Sequence, residues 1–201
     1  MLDKNYWKSR WQEGETGWDS GEATTPIRSF VDYLVEKNAD KKVRILIPGA
    51  GSGHEVVYFY QQGFHNITVC DWADEAIVKL KIKLPELADN QMIVGDFFDL
   101  KGTFDFIIEQ TFFCAIDPSL RPKYAKKCFE LLDTEGSICG VLFNQNFKFQ
   151  GPPYGGTAAE YRSYFEPYFD ILYMDACKNS IKRRENTELW IRFKKHITQY
   201  V

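Results

Sequence analysis

The chain has 201 residues, 44% apolar and 16% aromatic, enough to bury one substantial core in a single domain. Its 25 basic and 28 acidic residues leave a net charge of -3, no footprint for nucleic acid or an anionic membrane, so a small-molecule partner and a monomer are expected. No apolar run nears the roughly 18 residues of a membrane span, "MLDKNYWKSRWQEG" lacks the apolar middle of a signal peptide, and five scattered cysteines with three isolated histidines form no disulfide or zinc pattern, which predicts a cytoplasmic protein without a metal.

Trp7 and Trp11 are four apart, hence on one face if helical, and Trp18 follows in "GETGWDSGEATTP". "TTPIRSFVDYLVEK" sets Thr25 as a helix cap and Pro26 at the first helical position, with Ile27, Phe30, Val31 and Leu34 on one face. "VRILIP" is a nearly continuous apolar strand, as a parallel sheet covered on both faces requires. A helix follows from about Gly53 to Gln62, then a strand in "NITVCDW". "ADEAIVKLKIKL" is helical, with Ala76, Ile77, Leu80 and Leu84 inward. "QMIVGDFFDL" and "FDFIIEQ" supply strands three and four. Asp117 and Pro118 open a helix with Leu120, Tyr124, Cys128 and Leu131 on its buried stripe, which "DTEG" stops. "SICGVLF" is strand five; after the loop "NQNFKFQGPPYGG" come a helix near 158 to 166 and an antiparallel edge pair, "FDILYMDAC" and "ELWIRFKK". The alternation predicts a doubly wound α/β sheet closed by an antiparallel C-terminal hairpin, with a ligand at the carboxyl ends of its strands.

In "ILIPGAGSGHEV", Gly49, Gly51 and Gly53 stand at alternate positions, while a dinucleotide fingerprint would put its third glycine at His54. Bare backbone lets a ligand approach closely, and the next helix offers amide ends to a carboxylate or phosphate; the same glycines also suit a plain tight turn. Asp71, 22 residues after Gly49, could accept ribose hydroxyls of NAD or S-adenosylmethionine alike. Asp96 in "VGDFF" could accept from an adenine amino group while Phe97 or Phe98 covers the ring; a turn-capping acid and core phenylalanines are the ordinary alternative. The ordered series favours an adenosyl ligand. The G-x-G-x-G spacing, with Glu109, Gln110 and Thr111 ending strand four, favours S-adenosylmethionine. Its sulfonium suits an aromatic enclosure of tryptophans, which could instead staple the N-terminal segment to the core.

The marks "YWKSRWQEGETGWDSGEATTP", "LIPGAGSGHEV", "GDFFDL", "EQTFFCAIDPSLRPKYAKKCFELL" and "GPPY" span nearly the whole chain. On these the sequence resembles the thiopurine S-methyltransferase superfamily of class I S-adenosylmethionine-dependent methyltransferases, most closely its thiol and halide methyltransferase branch. The resemblance implies a seven-stranded, Rossmann-like class I sheet, with residues 1–25 as a lid over the cofactor. It assigns Trp7, Trp11 and Trp18 to that lid, and Gly49, Gly51 and Gly53 to the methionyl part. Asp71 and Trp72 would serve the ribose and adenine, Asp96 and Phe97 the adenine, Glu109 the region near the sulfonium, and Tyr154 the acceptor. The thiopurine-methylating branch tends to carry Asp-Arg where this chain has Glu109-Gln110, which disfavours thiopurines and points to small sulfur nucleophiles and halide-like anions.

Such acceptors need no strong base, since a thiol already holds some thiolate at neutral pH and thiocyanate or a halide has no proton to lose. Phe112, Phe113 and Trp18 are expected to shape a small apolar acceptor pocket, with Tyr154 as the catalytic hydrogen-bonding group or weak base. Arg183 in "KRRE" either attracts an anion or is a solvated loop arginine. The rival readings are a non-catalytic S-adenosylmethionine sensor or scaffold, a methyltransferase for aromatic thiols of thiopurine type, and an NAD-dependent oxidoreductase, which His54 disfavours.

Overall fold

A computed structural model describes residues 3–197; residues 1 and 2 of the expected lid lie outside the described residues. The chain divides into two compact units, Met1–Leu100 and Lys101–Val201.

In the first unit, α1 (Lys4–Gln12) is capped by Asp3, whose carboxylate accepts from the Tyr6 N–H at 3.0 Å. No residue of α1 is buried. It is tied instead by polar contacts to α4 (Asp74–Lys83): Lys8 Nζ to Asp74 at 2.9 Å and Gln12 Nε2 to Glu75 at 2.9 Å. α2 (Thr25–Glu36) buries the predicted face of Ile27, Phe30, Val31 and Leu34, each side chain worth about 1.5 to 3 kcal/mol. The cap position belongs to Thr24, and Thr25 is the first helical residue. Thr24 uses its N–H and hydroxyl on Glu55, at 3.0 and 3.3 Å, which pins the start of α2 to the first turn of α3 (His54–Gln61). β1 (Ile45–Pro48) is buried at all four positions, as an apolar strand covered on both faces should be. It pairs in parallel with β2 (Ile67–Asp71), and β2 with β3 (Met92–Val94), giving the order β3-β2-β1.

The second unit carries β4 (Phe104–Gln110), α5 (Arg121–Leu131), β5 (Leu132–Phe143), α6 (Ala158–Phe165), β6 (Phe169–Ala176) and β7 (Glu188–Lys195). β4 and β5 are parallel. The expected antiparallel pair is present, with β7 between β5 and the outer β6. Two expectations are corrected. Asp117 and Pro118 open a short 3-10 turn, Pro118–Leu120, that leads into α5, because the Asp117 carboxylate folds over to accept from the N–H and hydroxyl of Ser119 at 2.9 and 2.7 Å. "DTEG" is also not a stop, since α5 passes directly into β5 at Leu132. Its residues form an irregularity in the strand, where the β4 partner steps from Phe104 opposite Leu132 to Phe106 opposite Ser137.

Tyr124, Cys128 and Leu131 lie on the buried stripe of α5, and all five cysteines are buried free thiols. Gly140 faces Glu109 across the strands, and a Cβ there would lie 1.9 Å from the Glu109 carbonyl oxygen. Among the described residues, no helix is long and apolar enough to cross a membrane.

Candidate active site

In the first unit the chain leaves β1 through Gly49, Gly51 and Gly53, whose φ angles are 72°, 49° and 73°. Left-handed backbone costs an L side chain, and at Gly53 a Cβ would also meet Leu80 Cδ1 at 2.7 Å. The alternating glycines therefore fold the turn as well as baring it. Asp71, at the end of β2, braces it: Oδ2 accepts from the Gly51 N–H at 3.3 Å and Oδ1 from the Ala73 N–H at 2.8 Å. Burial pushes the Asp71 carboxyl up, and these amide bonds act against that. Trp72 beside it is half-buried.

Asp96 caps the 3-10 turn Phe97–Asp99 by accepting from the Phe98 N–H at 2.8 Å. Phe97 is only 2% exposed and belongs to the core. The half-buried ring of the pair is Phe98, edge-on to Phe97 at 5.5 Å, and it is the one with a face to offer a ligand.

Trp7 and Trp11 share a face of α1, and Trp18 stands edge-on to each at 5.6 Å. The three indoles are half-buried and form one group. The position a Cβ would take on Gly51 lies 3.7 Å from Trp18 Nε1, so the indole borders the bare backbone of the turn. His54, the first residue of α3, turns its ring to Asp19, with Nε2 2.8 Å from Oδ1.

In the second unit, Glu109 is fully buried near the end of β4. Its Oε1 accepts from the N–H groups of Phe112 and Phe113 at 2.8 and 2.9 Å, and its Oε2 from the Tyr124 hydroxyl at 2.6 Å. Burial pushes the carboxyl up to about 7 against these three donors. Glu109 thus holds the loop that follows it. Thr111 in that loop has φ 63°, a strained value for a β-branched residue, and its carbonyl accepts from Cys114 Sγ at 3.2 Å.

Phe113 is 1% exposed and packs among Tyr124, Tyr161 and Phe165, so it is core; Phe112 is half-buried. Tyr154, after the cis Pro152-Pro153 bond, is half-buried, and its N–H donates to the Cys114 carbonyl at 2.7 Å. The "FFCA" and "GPPY" loops are thereby joined by main chain. Arg183 is exposed.

The sequence reading passes over two buried arginines. Arg121, 1% exposed, donates to Glu160 at 3.0 Å and to the Tyr154 carbonyl at 3.2 Å, and its guanidinium lies 4.7 Å from the Phe113 ring centre. Its Nε has no hydrogen-bond partner among the described residues. The signal was present: Arg121, Tyr124, Ala125 and Cys128 fall at helical spacing on the buried stripe of α5. Arg184, 6% exposed, pairs with buried Glu188 at 3.4 Å and lies 5.7 Å from the Phe143 ring centre. Glu109, Thr111, Cys114, Phe143 and Glu188 line a small hollow.

The chain matches the thiopurine S-methyltransferase family over residues 2–199. It is 30% identical over 197 residues to a probable thiol methyltransferase 2 of Arabidopsis thaliana, covering 96% of this chain and 85% of that one. It is 29% identical over 199 residues to thiocyanate methyltransferase 1 of Brassica oleracea, covering 96% and 86%. Among solved structures it resembles the 1,6-didemethyltoxoflavin-N1-methyltransferase of Burkholderia thailandensis, with bound 1,6-didemethyltoxoflavin and S-adenosylhomocysteine. The TM-score is 0.73 at 16% identity, over 96% of this chain and 87% of that one. That likeness shows the fold, the class I methyltransferase fold that the strand and helix alternation predicts.

Proposed function

The chain belongs to the thiopurine S-methyltransferase family, and on that premise we propose that it moves a methyl group from S-adenosylmethionine to a small soft nucleophile: a thiol or hydrosulfide, thiocyanate, or a halide. The residues of the first unit fit the cofactor. Three left-handed glycines bare the backbone of the turn, the Trp18 indole borders it, and Asp71 stands at the end of β2 where a ribose would be received. Residues 3–25 are the cover of this cofactor site in our reading, with Trp7, Trp11 and Trp18 on its inner side, Trp72 and Asp96 toward the adenine, and Phe98 in the place the sequence gives Phe97.

When bound, S-adenosylmethionine supplies an electrophilic methyl group on a positively charged sulfur. The chain's own residues have to place the acceptor, exclude water and hold their loops still, and good placement alone lowers a barrier by up to about 7 to 11 kcal/mol. The observation that carries the soft-nucleophile reading is Glu109. It is fully buried with both oxygens engaged by Phe112, Phe113 and Tyr124, so its work is to fix the loop rather than to take a proton from an acceptor. Acceptors that arrive already nucleophilic fit such a site. Phe112 and Tyr154 are the acceptor-side groups of this reading, with Phe113 and Arg121 behind them, and Arg184 replaces exposed Arg183 as the cation for an anionic acceptor.

The test is direct. Purified protein with S-adenosylmethionine is supplied separately with hydrosulfide, thiocyanate, iodide and an aromatic thiol, and methylated products are measured in the headspace and in solution. Product from the small nucleophiles and little from the aromatic thiol is expected. Product from the aromatic thiol alone would return the chain to thiopurine-type chemistry. Tight cofactor binding with no product from any acceptor would favour the sensor.

A further inference from the structure

His54 and Asp19 stand 35 residues apart, and the fold brings them together with two more polar side chains. Asp19 Oδ1 lies 2.8 Å from His54 Nε2 and also accepts from the Gly21 N–H at 2.8 Å. Oδ2 accepts from the Ser52 hydroxyl and lies 3.6 Å from Lys79 Nζ. Lys79 Nζ donates in turn to Ser52 Oγ at 3.0 Å, and Lys83 Nζ to the Ser52 carbonyl at 2.7 Å. One carboxylate thus gathers the N-terminal segment, the glycine turn, the first residue of α3 and, through Lys79, α4.

Burial pushes the Asp19 carboxyl up, but hydrogen bonds from Ser52, the Gly21 amide and His54 outweigh it and hold the acid well below the usual carboxylate range. The neighbouring residue is Trp18, whose indole borders Gly51. Whatever fixes Asp19 therefore fixes Trp18 on the turn. The rest of the segment is held more weakly, because α1 buries nothing and meets α4 through half-exposed pairs of a kind worth about 0 to 1 kcal/mol.

We propose that Asp19 is a positioning residue for methyl transfer: it clasps the N-terminal segment onto the glycine turn through Ser52, His54 and Lys79, and opening of this clasp governs cofactor entry and S-adenosylhomocysteine release. The proposal rests on the cofactor reading above. It explains why the turn carries His54 where a dinucleotide fingerprint has glycine, since a glycine there could not reach Asp19.

The test uses the full chain and its Asp19→Asn, His54→Gln, His54→Phe and Lys79→Met variants. S-adenosylhomocysteine affinity is read by calorimetry, and its dissociation rate by the change in tryptophan emission during displacement. Asp19→Asn should weaken binding about tenfold or more, the loss expected for charge-assisted hydrogen bonds, through faster dissociation. The KM for S-adenosylmethionine should rise in parallel, with kcat at saturating cofactor within about twofold of the unmodified enzyme. His54→Gln keeps a donor and should stay closer to the unmodified protein than His54→Phe. Should Asp19→Asn fail to fold, half-exposed Lys79→Met carries the question, with dissociation about two- to threefold faster. Affinity and dissociation rate unchanged in every folded variant would overturn the clasp alone. Failure of the unmodified protein to bind S-adenosylhomocysteine would remove the cofactor reading and the clasp with it, so the two failures are told apart by the unmodified protein.

Discussion

The turn after β1 and the loop after β4 are held in different media. Asp19 and His54, which secure the N-terminal segment at the turn, keep 22% and 19% of their side-chain surface in contact with solvent. Glu109, Tyr124 and Arg121, from which the "FFCA" and "GPPY" loops hang, are at most 1% exposed. Near water a lost hydrogen bond is partly replaced by solvent, so its net worth is about 1 kcal/mol. In a dry interior the abandoned partner has no such replacement, and removing one member of a buried pair costs about 3 to 5 kcal/mol. Substitutions in the first group should therefore change ligand affinity and spare the fold. In the second group they should damage both.

The largest effect expected is at Gly140. Its missing side chain lets β5 approach β4, and alanine there would place Cβ 1.9 Å from the Glu109 carbonyl oxygen, a backbone atom that no rotamer change can move. Gly140→Ala should cost more than about 4 kcal/mol, the range reserved for overpacked or broken cores, and be seen as loss of soluble protein or of a cooperative urea transition. A folded Gly140→Ala protein with unchanged stability would mean that the second unit is far more pliant than its packing implies.

Glu109 sharpens the contrast through pH. Its carboxyl is pushed up to about 7 from 4.5 by burial, so between those values the folded chain holds a proton that the unfolded chain has lost. Stability from this group is fully present below about pH 4.5 and is lost as the pH rises through about 7, a swing of about 3 kcal/mol. Glu109→Gln keeps an acceptor for the Phe112 and Phe113 amides and cannot titrate, so the slope of unfolding free energy between pH 5 and 8 should flatten, as urea titrations across that range would register. Asp19 has the opposite sign. Held below its ordinary value, it stabilises above the unfolded pKa and loses that contribution as the pH falls, at the acid end of the range. An identical slope in Glu109→Gln and the unmodified protein would remove Glu109 as the titrating group.

Those two acids also mark what a sequence can disclose. Order and spacing reveal elements that local rules build: the α2 face, the apolar β1, the alternating glycines, the tryptophans four apart and the C-terminal pair all stand as the sequence reading has them. Choices between neighbours are harder, because adjacent side chains of a turn point to opposite sides. Phe98 has the open face rather than Phe97, Phe112 rather than Phe113, and Arg184 is buried while Arg183 is exposed. Motif matching cannot separate such pairs. "DTEG" misleads for a related reason, since its polar residues bulge out of β5 and mimic a helix stop. The clasp escapes reading altogether, because nothing local to "WDSG" or "GSGHEV" says that Asp19 and His54 meet.

The smallest effect belongs to Lys8. Its ammonium lies 2.9 Å from Asp74 and 3.9 Å from Glu75, with side-chain exposures of 37%, 50% and 28%, and α1 has no buried residue to lose. The Asp74 hydrogen bond and charge raise the Lys8 pKa, a sign of real attraction, yet water and salt screen it. Lys8→Ala should lower global stability by less than about 0.5 kcal/mol, within the scatter of ordinary surface changes. Should it weaken S-adenosylhomocysteine binding as much as Asp19→Asn does, the segment would be anchored along its whole length, and the distinction between a clasped end and a loosely tied helix would fail. An affinity near that of the unmodified protein, beside a large loss in Asp19→Asn, would place the anchorage at residue 19, because Lys8 and Asp19 bind the same segment to the same helix and differ mainly in how far their charges are withdrawn from water.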